Sequence, residues 1–395
     1  MIVSFGTYDA ARHPRVAVLV RGLRDHGVEV VEVNRPLGLS TAERVRMLQQ
    51  PWRLPLLVLR LAACWAGLAG DALALRRRRG APAAVLVGYL GHFDVVLARV
   101  LYPRTRVVLD HLVFAGDTAT DRGAQGLRVR LLRLLDRVAT ACADVVVTDT
   151  EEHRLMLRDP TRGVVVPVGA LDEWFDAVRP ACGPVGGPAA QAGASKPPET
   201  GAQAARGPLR VIFFGLYTPL QGAPVIGEAL ALAAAAGTPL AVTMVGEGQD
   251  LGATRRLAAG VPGVSWRGWV EPAELPGLVA EHDVCLGIFS DTPKGLRVVP
   301  NKVYQGLAAG CVVVTSDTAP QRRLLGDVLE LVPPADAAAL ADRLAALADP
   351  ARFAAARARA AEGRERTRAR AVVGPLVAAL ERPVAAGAGT AGVGA

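Results

Sequence analysis

Short aliphatic runs alternate with longer segments of helical spacing along most of the chain. Ile2-Val3-Ser4-Phe5 reads as a strand, the stretch from Gly6 to Pro14 as a loop, VAVLVRGLRDHG as a helix, and VEVVEV as a second strand. Together they predict a βαβ opening. Further strands are expected at AAVLVG ending near Gly88, TRVVLD ending at Asp110, ADVVVTD ending at Asp149 and GVVVPVG ending near Gly169. After a break the pattern restarts with LRVIFFG, PLAVTMVG, VSWRGW, HDVCLGIF, CVVVTSD and VLELVP, with helical segments such as APVIGEALALAAAAG and NKVYQGLAAG between them. Fully aliphatic strands alternating with helices predict parallel sheets covered on both faces.

The break sets the domain boundaries. Residues 179–207 are rich in Gly, Pro and Ala and lack an apolar face, so they read as a linker or insertion. The expected organisation is an N-terminal α/β domain over 1–178 and a second over 208–365. A helix over 366–384 is expected to pack back on the first domain, followed by a flexible tail over 385–395.

The segment from Trp52 to Arg79 combines an apolar stretch, two tryptophans and four consecutive arginines. Arg60 interrupts it, and the charge-free run Leu61–Gly70 is shorter than the roughly 20 residues that cross a bilayer. Two readings stay open: an ordinary packed helix with a solvated basic end, or an interfacial helix beside anionic lipid.

Composition narrows the function classes. The 395 residues, 51% of them hydrophobic, suffice for two cores. Aromatics make up only 5%, and the Arg76–Arg79 run lacks interleaved stacking residues, so no nucleic-acid partner is indicated. The excess of 45 Lys and Arg over 37 Asp and Glu leaves other anionic ligands open. Five scattered cysteines without a CxxC predict neither a disulfide framework nor a zinc cluster. The opening residues lack the pattern of a secretory signal, and a cytoplasmic location, at the inner face of the membrane in the lipid-facing reading, is expected. Neither Gly88/Gly91 nor Gly246/Gly248 completes a dinucleotide fingerprint, which argues against an oxidoreductase.

The second half carries the ordered motifs FFGLYTPLQG, MVGEGQD, WRGWV, HDVCLGIF and PNKVYQGLAAGCVVVTSD. In that order and spacing they resemble the nucleotide-sugar-binding half of a family 4 glycosyltransferase. VVVPVGALDEWF ahead of the linker extends the likeness toward the N-terminus. The resemblance implies two Rossmann-like parallel-sheet domains in a GT-B arrangement and a nucleoside-diphosphate sugar held between them. It also implies transfer with retention to a carbohydrate, small-molecule or lipid-linked acceptor, with no metal and no cofactor required.

The chain departs from the family's charged pattern. Where the family places a basic pair five residues apart, this sequence has Leu216 and Gln221; where it places two glutamates eight apart, Arg297 and Gln305 stand. Gln221 and Gln305 retain hydrogen bonding without charge. Arg267, Lys294, Arg297 and Lys302 are the cations available to replace the phosphate clamp, with Lys302 favoured because it opens the PNK helix. Gly6, Gly215, Gly246 and Gly248 end strands where backbone amides approach a phosphate. His111, directly after VVLD, matches the position of a histidine that faces the transferred sugar in related enzymes, and it is the expected catalytic residue. Tyr8, His13, Arg15, His92, Asp94, Asp117 and His153 are secondary candidates for the acceptor side, each with an ordinary structural role as the alternative. A nucleotide-sugar-binding protein without turnover, or a transferase using a different activated donor, is the competing functional reading.

Overall fold

The computed structural model describes residues 1–9, 14–38, 54–178 and 207–382. His13, Trp52, Cys182, the linker residues 179–206 and the tail 385–395 lie outside the described residues. The chain forms two compact units. One comprises Met1–Leu171, Thr292–Val299 and the segment from Arg366, and the other Asp172–Asp291 and Pro300–Glu365.

In the first unit, six strands form one parallel sheet: β1 (Ile2–Gly6), β2 (Val30–Asn34), β3 (Ala84–Val87), β4 (Arg106–Asp110), β5 (Val145–Thr148) and β6 (Gly163–Val165), in the order β2-β1-β3-β4-β5-β6. Alternation along each strand divides the core into two layers. Val3, Phe5, Val85, Val87, Val107, Leu109 and Val146 face one side, against α2 (Leu54–Arg79), α3 (Asp94–Leu101) and the C-terminal end of α5 (Leu127–Ala141). Ile2, Leu86, Val108 and Val147 face the other, against α1 (Pro14–Asp25) and α15 (Ala369–Glu381). A Cβ on Gly22 of α1 would run into Ala369 O and the side chain of Val373, so the missing side chain is what lets α15 approach this closely.

The short helices α4 (Ala115–Asp121) and α6 (Glu151–Leu155) follow β4 and β5, and α7 (Asp172–Asp176) opens the second unit. The stretch 54–79 forms one continuous helix. Its Pro55–Arg79 portion is long and apolar enough to cross a membrane by length and composition, because Arg60 does not interrupt the helix and the most apolar 18-residue window has a mean hydropathy of 1.6. The charge-free run alone had implied a shorter apolar span.

The second unit holds another six-stranded parallel sheet: β7 (Leu209–Phe214), β8 (Leu240–Val245), β9 (Val264–Arg267), β10 (Val284–Leu286), β11 (Val312–Ser316) and β12 (Glu330–Val332), ordered β12-β11-β10-β7-β8-β9. The twelve strands among the described residues all fall on runs expected from the sequence. Helices α8 (Ala223–Ala235), α9 (Leu251–Leu257), α10 (Leu275–Ala280), α11 (Asn301–Ala308), α12 (Ala319–Leu325), α13 (Ala337–Ala348) and α14 (Pro350–Arg364) surround it. α8 and α13 bury their Ala and Leu faces against Val211, Phe213, Val242, Leu286 and Val314.

The chain reverses direction across the sheet between β7 and β10, the switch point at which open parallel sheets bind ligands beyond their carboxyl ends. In the first sheet the corresponding point lies between β1 and β3.

Candidate functional site

The loops at the switch point of the second unit bring four of the expected residues together. Gly215 follows β7 with φ +135°, and Gly246 follows β8 with φ +120°. A Cβ on Gly246 would run into Gly215 O, so the two strand ends approach each other as only glycine permits. Gln221 lies in the turn before α8, and its carbonyl accepts from Phe289 N at 3.0 Å beyond β10. Lys302, in the first turn of α11, donates from Nζ to Gln221 Oε1 at 2.5 Å, and a Cβ on Gly215 would lie 3.3 Å from the same Nζ. Its ammonium also sits 3.8 Å from the centroid of the Phe213 ring.

Only 5% of Lys302 is exposed, and this burial lowers its pKa to about 7, with Cys285 acting weakly in the other direction. Among the described residues no carboxylate is hydrogen-bonded to Nζ, so Lys302 is a cation held by a neutral amide and an aromatic face. Such a group takes an incoming anion without first breaking an ion pair. Gln305 is three residues on along α11 and partly buried. Pro300 is the N-cap of that helix and Asn301 its first residue, with no side-chain cap.

The other expected cations lie elsewhere. Arg267 gives its carbonyl to Gly246 N at 3.0 Å, while its side chain lines a separate hollow of about 300 Å³ with Arg210, Thr243 and His282. Lys294 and Arg297 belong to the segment that groups with the first unit. Lys294 Nζ donates to Thr118 Oγ1 at 2.8 Å, Arg297 Nη1 pairs with Asp117 Oδ1 at 3.3 Å, and Thr150 Oγ1 donates to Arg297 O at 2.8 Å. Asp117 and Arg297 are therefore partners of each other. Leu216 is 52% exposed beside Gly215.

In the first unit, Gly6 ends β1 and the next residue, Thr7, donates from N and Oγ1 to Asp94 Oδ2 at 2.7 and 2.8 Å. Trp65 Nε1 donates to Asp94 Oδ1 at 2.9 Å, so this carboxylate locks the switch-point turn to α2. Arg15 and Asp110 form a buried ion pair at 3.2 Å, and Arg15 also donates to Val166 O and Pro167 O. Burial raises the pKa of Asp110 and Arg15 opposes the shift. These bonds give Arg15, Asp94 and Asp110 structural roles.

His111 is 1% exposed and packed edge-on against Phe114 and His92, with ring centroids 4.5 and 5.1 Å away. Neither ring nitrogen has a hydrogen-bond partner among the described residues, and Nε2 lies 3.8 Å from Asp136 Oδ1. Burial, reinforced by His92 and opposed by Asp136, lowers its pKa to about 3. His111 is thus a neutral imidazole with unsatisfied polar atoms. Nearby, His153 Nδ1 bonds Asp149 Oδ1 at 2.6 Å, the local pairing anticipated for it.

Asp136 was not singled out from the sequence. It accepts from Ala115 N, Gly116 N and His92 Nε2, and these bonds hold its pKa below the usual carboxylate range although burial pushes the other way. An acid on the buried face of a helix otherwise rich in Leu and Arg was the available signal. The donor atoms of His92, His111 and Asp136 lie within 4.8 Å of one another. Because the carboxylate is already engaged by three donors, the cluster makes no convincing metal site.

With 96% of this chain covered, the fold is shared with three solved structures. Sucrose-phosphate synthase from Thermosynechococcus elongatus aligns with TM-score 0.61 at 14% identity over 98% of its length. Anabaena HepE, solved with UDP-glucose, aligns with TM-score 0.60 at 13% identity over 98% of its length. A glycosyltransferase from Rickettsia africae aligns with TM-score 0.57 at 13% identity over 97% of its length. No curated protein sequence matches the chain. The fold, two Rossmann-like parallel-sheet units with glycine turns at the switch point, is of the GT-B class. Residues 208–349, in the second unit, match the family model described as Glycosyl transferases group 1.

Proposed function

We propose that the chain is a retaining hexosyl- or related glycosyltransferase that moves a sugar from a nucleoside-diphosphate donor to a glycan, small-molecule or lipid-linked alcohol. It would act at the inner face of the cell membrane, with α2 and its Arg76–Arg79 end toward anionic lipid. In this reading the first unit serves the acceptor and the second binds the donor.

The observation that carries the proposal is Lys302. A buried ammonium with no carboxylate partner among the described residues, facing Gly215 and Gln221 at a sheet switch point, has the chemistry to hold a diphosphate and to stabilise it as a leaving group. Anabaena HepE has been solved with UDP and with UDP-glucose, which supports a nucleoside diphosphate as the leaving group here. His111, neutral across the physiological range, would donate a hydrogen bond to a sugar hydroxyl rather than act as a cation. The acceptor proton would pass to the departing phosphate, so the chain needs no separate carboxylate base.

Two observations favour a second reading, a nucleotide-sugar-binding protein without turnover: exposed Leu216 stands where the resembled family has a cation, and Arg297 is paired with Asp117. Incubation with a panel of nucleotide sugars and cell-derived acceptors separates the two. Nucleoside diphosphate released in step with an elongated acceptor is the expected result. Saturable donor binding without product across the panel would overturn transfer in favour of binding alone.

A further inference from the structure

We propose that the outward face of α5 is a docking surface for an anionic phospholipid bilayer. The inference rests on the membrane part of the function proposed above and assigns it to a second, distinct element. Leu127, Leu131, Leu134 and Val138 are 71, 56, 53 and 44% exposed. Their spacing of four, three and four residues places them in one stripe along the helix. Val129, Asp136 and Ala139, on the opposite side, are the residues α5 buries. A solvated helix would carry its leucines inward and its charges outward. This one turns a continuous leucine stripe away from the core.

The occupant follows from charge. Arg128, Arg130, Arg133 and Arg137 are exposed and flank the stripe, while Asp136, the single acid of α5, is buried against His92. The exposed face is therefore apolar along its centre and purely cationic along its edges, the pattern of a helix lying in the headgroup plane of an anionic membrane. At its C-terminal end a cavity of about 360 Å³ is lined by Arg137, Arg158 and Arg162 with Thr140, Leu157 and Asp159. It borders the Arg137 edge of the helix and offers guanidinium groups to a lipid phosphate. α2 belongs to the same layer of the unit and exposes Leu56, Val58 and Leu59. Two helices of one layer thus present apolar surface outward.

Vesicle flotation of the full chain tests this, with vesicles of phosphatidylcholine alone and of phosphatidylcholine mixed with phosphatidylglycerol. Binding is expected to the anionic vesicles only and to weaken as salt rises. Leu131→Asp with Leu134→Asp should lower partitioning by about tenfold or more, since two charges enter the buried side of the contact. Arg130→Glu with Arg133→Glu should reverse the lipid preference. These positions are solvent-exposed, and unchanged thermal melting confirms that the variants fold.

Equal binding to neutral vesicles, or binding by both α5 variants that matches the unaltered chain, would overturn the assignment. If replacing Arg76–Arg79 abolishes binding while the α5 variants leave it intact, the inference falls and the membrane reading survives. If nothing binds anionic vesicles, both fall. A dimer in sedimentation that Leu131→Asp converts to monomer, with vesicle binding unchanged, would instead give the stripe to a second copy of the chain. Calorimetric titration with UDP-glucose on the same variants keeps the donor site under separate control.

Discussion

Lys302 Nζ donates to Gln221 Oε1 at 2.5 Å, joining residues 81 positions apart across the switch point of the second sheet. If this is where the donor binds, its affinity should depend on pH. Burial lowers the lysine's pKa to about 7, and a bound diphosphate favours the protonated form, so binding near neutrality should take up a proton. Affinity for UDP should fall as pH rises above about 7, by up to about tenfold per unit. Calorimetry in two buffers of different ionisation enthalpy measures the uptake directly; no proton uptake would exclude Lys302 from phosphate contact.

Lys302→Met keeps most of the apolar stem while removing the charge. It should weaken UDP-glucose binding by about tenfold or more, the scale of one charge-assisted contact, without lowering the melting temperature. Because a buried charge disappears, a variant that melts higher yet binds worse is the clearest expected signature. Unchanged affinity in a folded variant would move the phosphate site away from α11.

His111 gives a stability prediction whose sign is fixed by its surroundings. Its folded pKa of about 3 lies below the unfolded value of about 6.5, so the unfolded chain binds the extra proton between these limits. His111 therefore contributes to stability above the unfolded pKa, and that contribution is lost as pH falls toward the folded pKa. The slope should approach about 1.4 kcal/mol per pH unit within this window. His111→Gln should flatten the profile in urea melts between those limits. If His111 faces the sugar, the same substitution should reduce turnover more than UDP affinity.

Arg15→Met leaves the Asp110 carboxylate buried without its ion partner and strips two bonds from the β6 end. The loss should be about 3–5 kcal/mol by urea denaturation, and Asp110→Asn in the same chain should restore part of it. A single Arg15→Met substitution without cost would show that water reaches the pair.

Gly246→Ala forces a Cβ into the carbonyl oxygen of Gly215 at a φ that suits glycine alone. A cost of about 2–3 kcal/mol is expected, with UDP-glucose binding lost even where the fold survives. Thermal melting beside calorimetry separates the two effects.

The strands among the described residues were legible because a buried parallel strand is a short apolar run bounded by turn residues, as in VVLD and VIFF, whereas the apolar run VAVLV continues into helical spacing. The placement of the glycine turns beside Lys302 was legible for a related reason: strand ends can be counted. What escaped was set by packing in three dimensions. Asp136 lies 25 residues beyond His111, and only the fold of α5 over β4 and β5 brings its carboxylate to that ring. Conversely, Arg267, Lys294 and Arg297 stand beside Lys302 as further candidate cations in the sequence. Their separate surroundings appear only once the loops are placed, because a long cationic side chain is committed by its neighbours rather than by its motif.

The return of α15 onto α1 bears on synthesis. Ala369, Val372, Val373 and Leu376 complete the core beside Val18, Leu19 and Leu23, yet a ribosome makes them only after the whole second sheet has emerged. The unit that begins first must therefore finish last. Until those residues leave the exit tunnel, α1 keeps an apolar face uncovered, and chaperone engagement of the nascent chain should concentrate in that interval.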